Sequence, residues 1–248
     1  MKKQWRLFLI ALAYFTRIPL PPIRDFAAEE LHDAARYFPM VGWVVGGVAG
    51  LVLYLAVLVL PPEIAVILSM IATILVTGAF HEDGLADTTD GLGGGWEKQQ
   101  VLNIMKDSRI GSYGAIALVL ALLLKYHSLV HISLVLLPCV MWASHALSRL
   151  AAVLLMVQQE YVREEGKARP VAGNFSAADI VIALLGGLVP LLFLPVYLWW
   201  ALLPVALVWW WFGRRLKRRL GGYTGDCLGA MQQLTELAFY IGILIWSL

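Results

Sequence analysis

The side chains most able to do chemistry lie in one stretch, Gly78-Ala79-Phe80-His81-Glu82-Asp83-Gly84-Leu85-Ala86-Asp87-Thr88-Thr89-Asp90-Gly91. Asp83, Asp87 and Asp90 are spaced i, i+4 and i+7, which puts them on one face of a helix. Ionised carboxylates so placed repel one another by roughly a few tenths of a kcal/mol per exposed pair, and by more where water is scarce. A cation relieves that repulsion. Mg2+ suits the set, because it prefers hard oxygen ligands and is often shared between carboxylates and substrate phosphates. His81 is near enough in sequence to serve as a base or to orient a ligand. The plainer reading is a solvated acidic helix end with His81 as a cap, since acids are common at helix N-termini. The metal reading is the stronger one, because the acids follow an apolar run directly and no Lys or Arg appears until Lys98.

Two segments carry the opposite polarity. Met105-Lys106-Asp107-Ser108-Arg109-Ile110-Gly111-Ser112-Tyr113-Gly114 sets Lys106 and Arg109 one helical turn apart, or together in a turn. Gly111 and Gly114 would let backbone N–H groups approach an anion. Gly221-Gly222-Tyr223-Thr224-Gly225-Asp226-Cys227-Leu228-Gly229 opens the last apolar run in the same way. A helix N-terminus favours a phosphate at either place, though each alone reads as an ordinary helix start. Neither segment is a Walker A loop. Arg149, one turn after His145 in an apolar run, is costly if it faces lipid. It either snorkels to the interface or contacts a buried phosphate or carboxylate. Lys125 reads as snorkelling from the outer end of its run. Acids for a divalent ion, cations for phosphate oxygens and a base for a hydroxyl are the parts phosphoryl transfer needs.

Such parts must be positioned by a membrane scaffold. The chain has 248 residues, 60% hydrophobic and 15% charged, against about 25% charged in a soluble domain, and its mean hydropathy is +0.75. That excludes a disordered chain, a disulfide scaffold and a basic nucleic-acid binder, so no nucleic acid is expected as a partner. Cys139 and Cys227 form neither a zinc set nor a disulfide framework. A membrane helix needs about 20 apolar residues. Residues 40–60 and 64–80 read as a hairpin about Pro61-Pro62-Glu63. Residues 113–159 are long enough for two spans, 180–213 for two more with Pro195 as breaker, and 229–248 for a last one.

The expected architecture is therefore an all-α polytopic membrane bundle of about seven transmembrane helices. It forms a single integral membrane domain over 1–248: an interfacial N-terminal segment, 1–38, and a transmembrane bundle, 39–248. Trp5 to Leu20 is read as a membrane-surface or re-entrant amphipathic helix, because no signal cleavage site follows it. The positive-inside rule places loops 81–112, 158–179 and 213–228 in the cytoplasm. They hold Lys98, Lys106, Arg109, Arg163, Lys167, Arg169 and the basic run 214–219. That run reads first as a topology and anionic-lipid signal, and second as a contact to a phosphate-rich substrate.

At these residues the chain resembles the cobalamin synthase family, the adenosylcobinamide-GDP ribazoletransferases. The similar motifs are Phe80-His81-x-Asp83-Gly84-Leu85-Ala86-Asp87-x-x-Asp90-Gly91, Met105-x-Asp107-Ser108-Arg109-x-Gly111 and Gly221-Gly222-x-Thr224-Gly225-Asp226-x-Leu228-Gly229. Shorter ones are Thr16-Arg17-Ile18-Pro19, Phe38-Pro39-Met40-Val41-Gly42, Ser148-Arg149 and Tyr161-x-Arg163-Glu164-Glu165-Gly166. They run in order over nearly the whole chain. The resemblance implies a Mg2+-dependent enzyme that joins adenosylcobinamide-GDP to α-ribazole, or its 5′-phosphate, and releases GMP. It would sit in the bacterial cytoplasmic (inner) membrane with its active site facing the cytoplasm, among membrane lipid, as a monomer or a homo-oligomer. On this reading Asp83, Asp87 and Asp90 hold Mg2+, and Lys106, Arg109, Arg149 and Thr224 bind phosphate. Asp226, His81 or one of the three aspartates takes the proton, with Asp107, Gly111 and Gly225 in support. Asp87-Thr88-Thr89-Asp90-Gly91 also has the Asp-x-x-Asp-Gly form of CDP-alcohol phosphotransferases, but the rest of that motif is missing. A phospholipid-making enzyme is thus the alternative. A cation transporter is more distant, since it would place carboxylates near the bilayer midplane.

Overall fold

The computed structural model describes residues 2–23, 25, 27–163, 171 and 173–247. Among them every regular element is helical, and one isolated bridge joins Tyr161 to Tyr223. Helix α1 (Lys2–Phe15) buries Leu7, Ile10, Ala11 and Phe15, spaced three and four apart, and leaves Trp5 exposed. Its apolar stripe packs on α2 (Ala28–Ala34) and α3 (Phe38–Val57), and Arg6 grips Glu30 at 2.6 and 2.8 Å. At 14 residues α1 is too short to span.

Helix α4 (Pro62–Thr77) starts at a proline, whose fixed φ suits a first turn. It ends at Gly78, φ 64°, followed by Ala79, φ 56°. Two consecutive left-handed residues, the second without glycine's freedom, turn the chain by 85° into α5 (Phe80–Gly94). Then come α6 (Lys98–Ile104), α7 (Ser112–His131), α8 (Leu137–Gln158) and α9 (Ala177–Leu188), the last begun by a Ser176–Asp179 capping box. Short 3-10 turns at Val189–Phe193 and Val196–Ala201 lead to α10 (Leu202–Leu220) and α11 (Gly225–Ser247).

Among the described residues, five segments are long and apolar enough to cross a membrane: Glu29–Val57, Ser112–His131, Leu137–Gln158, Val196–Leu220 and Gly225–Ser247. Helix α4 passes that test only jointly with α5, and Ala177–Phe193 is a shorter apolar helix. The all-α polytopic bundle is as expected, but seven full spans are not reached. Gly78 stops α4 early, and Pro190 and Pro195 divide residues 180–213 so that only the second half attains full length. The expected loops are also corrected. Residues 81–112 are mostly α5 and α6, because the glycines that suggest a loop are packing sites. The basic run is not in a loop either: it completes α10, since Arg and Lys favour helix and suit its C-terminal dipole. Of the 158–179 segment, Lys167, Arg169 and Glu164-Glu165-Gly166 lie outside the described residues.

Helices α8 and α11 form the centre, with 83% and 72% of their apolar windows buried, against 22% for α7. Small residues let neighbours close on them. A Cβ on Gly46 of α3 would lie 2.7 Å from Trp142 Cα of α8. A Cβ on Gly84 of α5 would lie 2.8 Å from the Asp226 carbonyl oxygen and 3.1 Å from Gly229 Cα of α11.

One set of polar groups inside the bundle is paired. Glu236 of α11 takes Lys125 of α7 at 2.6 Å and accepts hydrogen bonds from Gln232 at 2.6 Å and Tyr240 at 2.9 Å. Ser144 of α8 donates to Tyr240 at 2.6 Å, and Gln232 donates to Ser148 at 3.0 Å. Lys125 is only 4% exposed, so the snorkelling expected for it is wrong: α11 covers it and supplies its counter-charge.

These contacts set the stability of four variants. Gly84→Val overpacks the α5–α11 contact and lowers the thermal unfolding midpoint in detergent, at a cost of about 1–3 kcal/mol. Gly47→Ala, with nothing within 4 Å of its Cβ, leaves the midpoint unchanged or raises it. Lys125→Met strands a buried carboxylate and costs about 3–5 kcal/mol, whereas Lys125→Met combined with Glu236→Gln recovers most of that loss in the same melt.

Candidate active site

The site grows from the crossing of α5 and α11 at Gly84 and Gly229. Asp83 immediately precedes Gly84 and Asp87 follows it by about one turn, and Asp226 occupies the first turn of α11. Asp83 is exposed, while Asp87 and Asp226 are half-buried. The Asp226 and Asp83 carboxylates act on Asp87 more strongly than any other acid does, and the Arg163 guanidinium opposes them. A second tie holds the two helices together: Gln233 donates to Glu82 Oε1 at 3.0 Å.

Arg163 is the cation of this group, 2.8 Å from Asp226 Oδ2. The backbone delivers it. Val162 N–H donates to the Tyr223 carbonyl and Tyr223 N–H to the Glu160 carbonyl, both at 3.0 Å. The stretch after α8 is thereby laced to the segment before α11. Sequence reasoning counted Arg163 only as a positive charge on its loop. Its place in Tyr161-x-Arg163 was the one signal available.

Asp90 goes elsewhere. Seven residues advance a helix by about 10.5 Å, so a shared face does not bring Asp90 to the same point as Asp83. Its oxygens accept the Gly111 and Gly114 N–H groups, each at 2.8 Å, and so cap the start of α7. Both glycines are required, because a Cβ on either would collide with the Asp90 carboxyl. Among the described residues, no three His, Cys, Asp or Glu side chains close on one point.

The other expected residues divide between surface and interior. Lys106 is exposed. Arg109 is exposed and held by Asp107 at 2.7 Å, and this hydrogen-bonded partner lowers the Asp107 carboxyl to about 2. Gly225 starts α11, and Thr224 is buried, its hydroxyl accepting the Cys227 N–H at 3.3 Å as the helix cap. His81 lies about 200° round the helix from Asp83. It is 4% exposed and stacked on Phe15. Arg149 is 2% exposed and donates to the His145 carbonyl at 2.8 Å. It does not snorkel. It borders an enclosed cavity with Phe15, Phe38, His81 and Gln232. The structure thus groups Asp83, Asp87, Asp226 and Arg163, and gives Asp90, His81 and Arg149 other partners.

These features define a polytopic all-α membrane protein with a cluster of acids and cations at one end of its bundle. Residues 7–244 match the family of cobalamin-5-phosphate synthase, and the chain belongs to that family. It is 46% identical over 250 residues to the adenosylcobinamide-GDP ribazoletransferase of Ralstonia pickettii (strain 12J), covering 99% of this chain and 98% of the relative. It is 45% identical over 258 residues to the protein of the same name from Shewanella amazonensis (strain ATCC BAA-1098 / SB2B), with 99% and 98% covered. The Shewanella frigidimarina (strain NCIMB 400) protein is 44% identical, with 98% and 95% covered. No solved structure matches the chain. The chain is accordingly a transferase of cobalamin synthesis, as the resemblance implied.

The division between acids has opposite consequences for stability. Asp90→Ala removes the cap of α7 and lowers the melting midpoint, at a cost of about 1 kcal/mol. Asp87→Asn, measured in chelator without added metal, leaves the midpoint unchanged or raises it, because it relieves repulsion from Asp83 and Asp226.

Proposed function

We propose that this chain transfers the adenosylcobinamide phosphate group of adenosylcobinamide-GDP to the 3′-hydroxyl of α-ribazole or its 5′-phosphate, releasing GMP. The observation that carries this reading is the grouping of Asp83, Asp87 and Asp226 around Arg163 at the α5–α11 crossing. The names of the relatives supply the substrate, since they are described as adenosylcobinamide-GDP ribazoletransferases. The donors suit Mg2+ in kind: they are hard carboxylate oxygens in mutual repulsion, although among the described residues no three acids close on one point. An ion that keeps several waters and shares itself with phosphates needs no more. Asp83 and Asp87, with Asp226 beside them, would hold it. When bound it would neutralise charge on the pyrophosphate.

The protein's own groups do the rest. Lys106 and Arg109, both exposed, and Arg163 take the phosphate oxygens. The ribazole hydroxyl oxygen forms a bond to the phosphorus that carries the cobinamide arm. The bond from that phosphorus to the bridging oxygen breaks, and GMP departs with the electron pair. The hydroxyl proton passes to Asp226, the half-buried carboxylate at the start of α11. His81 faces the other way and is not in this relay.

The site opens on the cytoplasm, on the reading that basic residues mark that side of a bacterial inner membrane. Arg219 at the end of α10 donates to the Gly95 carbonyl just past α5, so the basic run and the acids share one end of the bundle.

The test is GMP release by purified protein in bilayers given Mg2+, adenosylcobinamide-GDP and α-ribazole. Wild type releases GMP, and Asp226→Asn loses on the order of a hundredfold or more. Chelation abolishes release, and added Mg2+ restores it. Radiolabelled CDP-diacylglycerol, offered in parallel, is not consumed. Its consumption without GMP release would move the chain to the phospholipid-forming alternative.

A further inference from the structure

Two adjoining cavities on the flank of the bundle take no part in the transfer. The first, about 560 Å³, is an apolar groove between α7 and α10, floored by α11 and roofed by α5; Leu92, Leu120, Leu124, Phe212 and Leu237 line it. The second, about 340 Å³, is built wholly from α10: Trp210, Trp211, Arg214, Arg215, Arg218 and Arg219. Trp211 and Arg215 line both, so the apolar groove ends on a cluster of guanidinium groups. The Arg214 guanidinium lies 4.6 Å from the centre of the Trp210 ring, which orients it. Trp210 and Trp211 are each 52% exposed, as tryptophans at a membrane–water interface are. Among the described residues, no carboxylate forms an ion pair with Arg214, Arg215 or Arg218.

Uncompensated cations at the end of an apolar groove, at interface depth, complement one kind of molecule. We infer that this surface binds an anionic phospholipid, with an acyl chain in the α7–α10 groove and the phosphate on Arg214, Arg215 and Arg218. Charge decides the headgroup: a zwitterionic lipid would bring its own cation to the cluster. The site also touches the catalytic framework. Leu85, Thr88 and Leu92 in its roof belong to the helix that carries Asp83 and Asp87. The lipid therefore buttresses α5 from the face opposite its acids.

The test reads lipid binding directly, so it stands or falls apart from the transferase reading. Full-length protein in detergent is titrated with dioleoylphosphatidylglycerol or dioleoylphosphatidylcholine, and retained lipid is counted by native mass spectrometry. One phosphatidylglycerol is retained saturably, at least about tenfold more tightly than phosphatidylcholine, at a gain of about fivefold per cationic residue. Arg214→Gln/Arg215→Gln/Arg218→Gln abolishes that preference. Leu120→Trp, which fills the groove and leaves every charge in place, also weakens phosphatidylglycerol binding. It keeps the proposal testable if the triple variant melts below the assay temperature. Equal retention of the two lipids, or binding undiminished in a folded variant, overturns the proposal. So does displacement by millimolar inorganic phosphate, which would make the cluster a site for free anions.

Discussion

Helices α5 and α11 meet where two glycines face each other, and that approach sets the geometry of the charged end. Without side chains at Gly84 and Gly229, the backbone of one helix rests on the other. Asp83 and Asp87 consequently stand near enough to Asp226 for their charges to act on one another. The repulsion this creates would open the contact if it were not held elsewhere. It is held by packing along α11, by the Gln233–Glu82 hydrogen bond and by Arg163 against Asp226. The bundle thus keeps acids together that would separate in a free chain.

The direction of α5 is part of the same constraint. A straight continuation of α4 would carry the acids along the membrane normal. The consecutive left-handed residues Gly78 and Ala79 instead turn α5 through 85° and lay it across the end of α11. Asp90, at the far end of α5, then meets the first N–H groups of α7 and locks the third helix of the site in place. One short helix therefore carries two carboxylates that face α11 and one that caps α7, told apart only by what lies opposite each.

Deeper in the bundle, Lys125, Glu236, Gln232 and Tyr240 join α7 and α11, and Ser144 and Ser148 extend the set to α8. A buried ion pair contributes little net stability beside an apolar pair of the same shape. Its effect is on register, because sliding either helix by one turn would leave a charge unpaired in a medium that cannot solvate it. The network holds α11 at the height where Gly229 meets Gly84. Interior polarity and the exposed site are linked in this way through a single central helix.

Much of this was legible in the residues alone. The long uncharged runs, the acidic stretch ahead of Gly91 and the cationic, glycine-rich helix starts define the class, the charged face and the family, because each depends on local composition and spacing. Helical periodicity correctly put Asp83 and Asp87 on one face. It could not tell that Asp90, two turns on, belongs to α7, nor that His81 points inward, nor that Lys125 is buried rather than snorkelling. It gave no reason to set Arg163 against Asp226 or Lys125 against Glu236, partners separated by more than 60 residues. Those assignments rest on which helix covers which face. Only the tertiary structure decides that, because a side chain's role here is set by the charge or backbone group packed opposite it, and such neighbours leave no mark on local sequence.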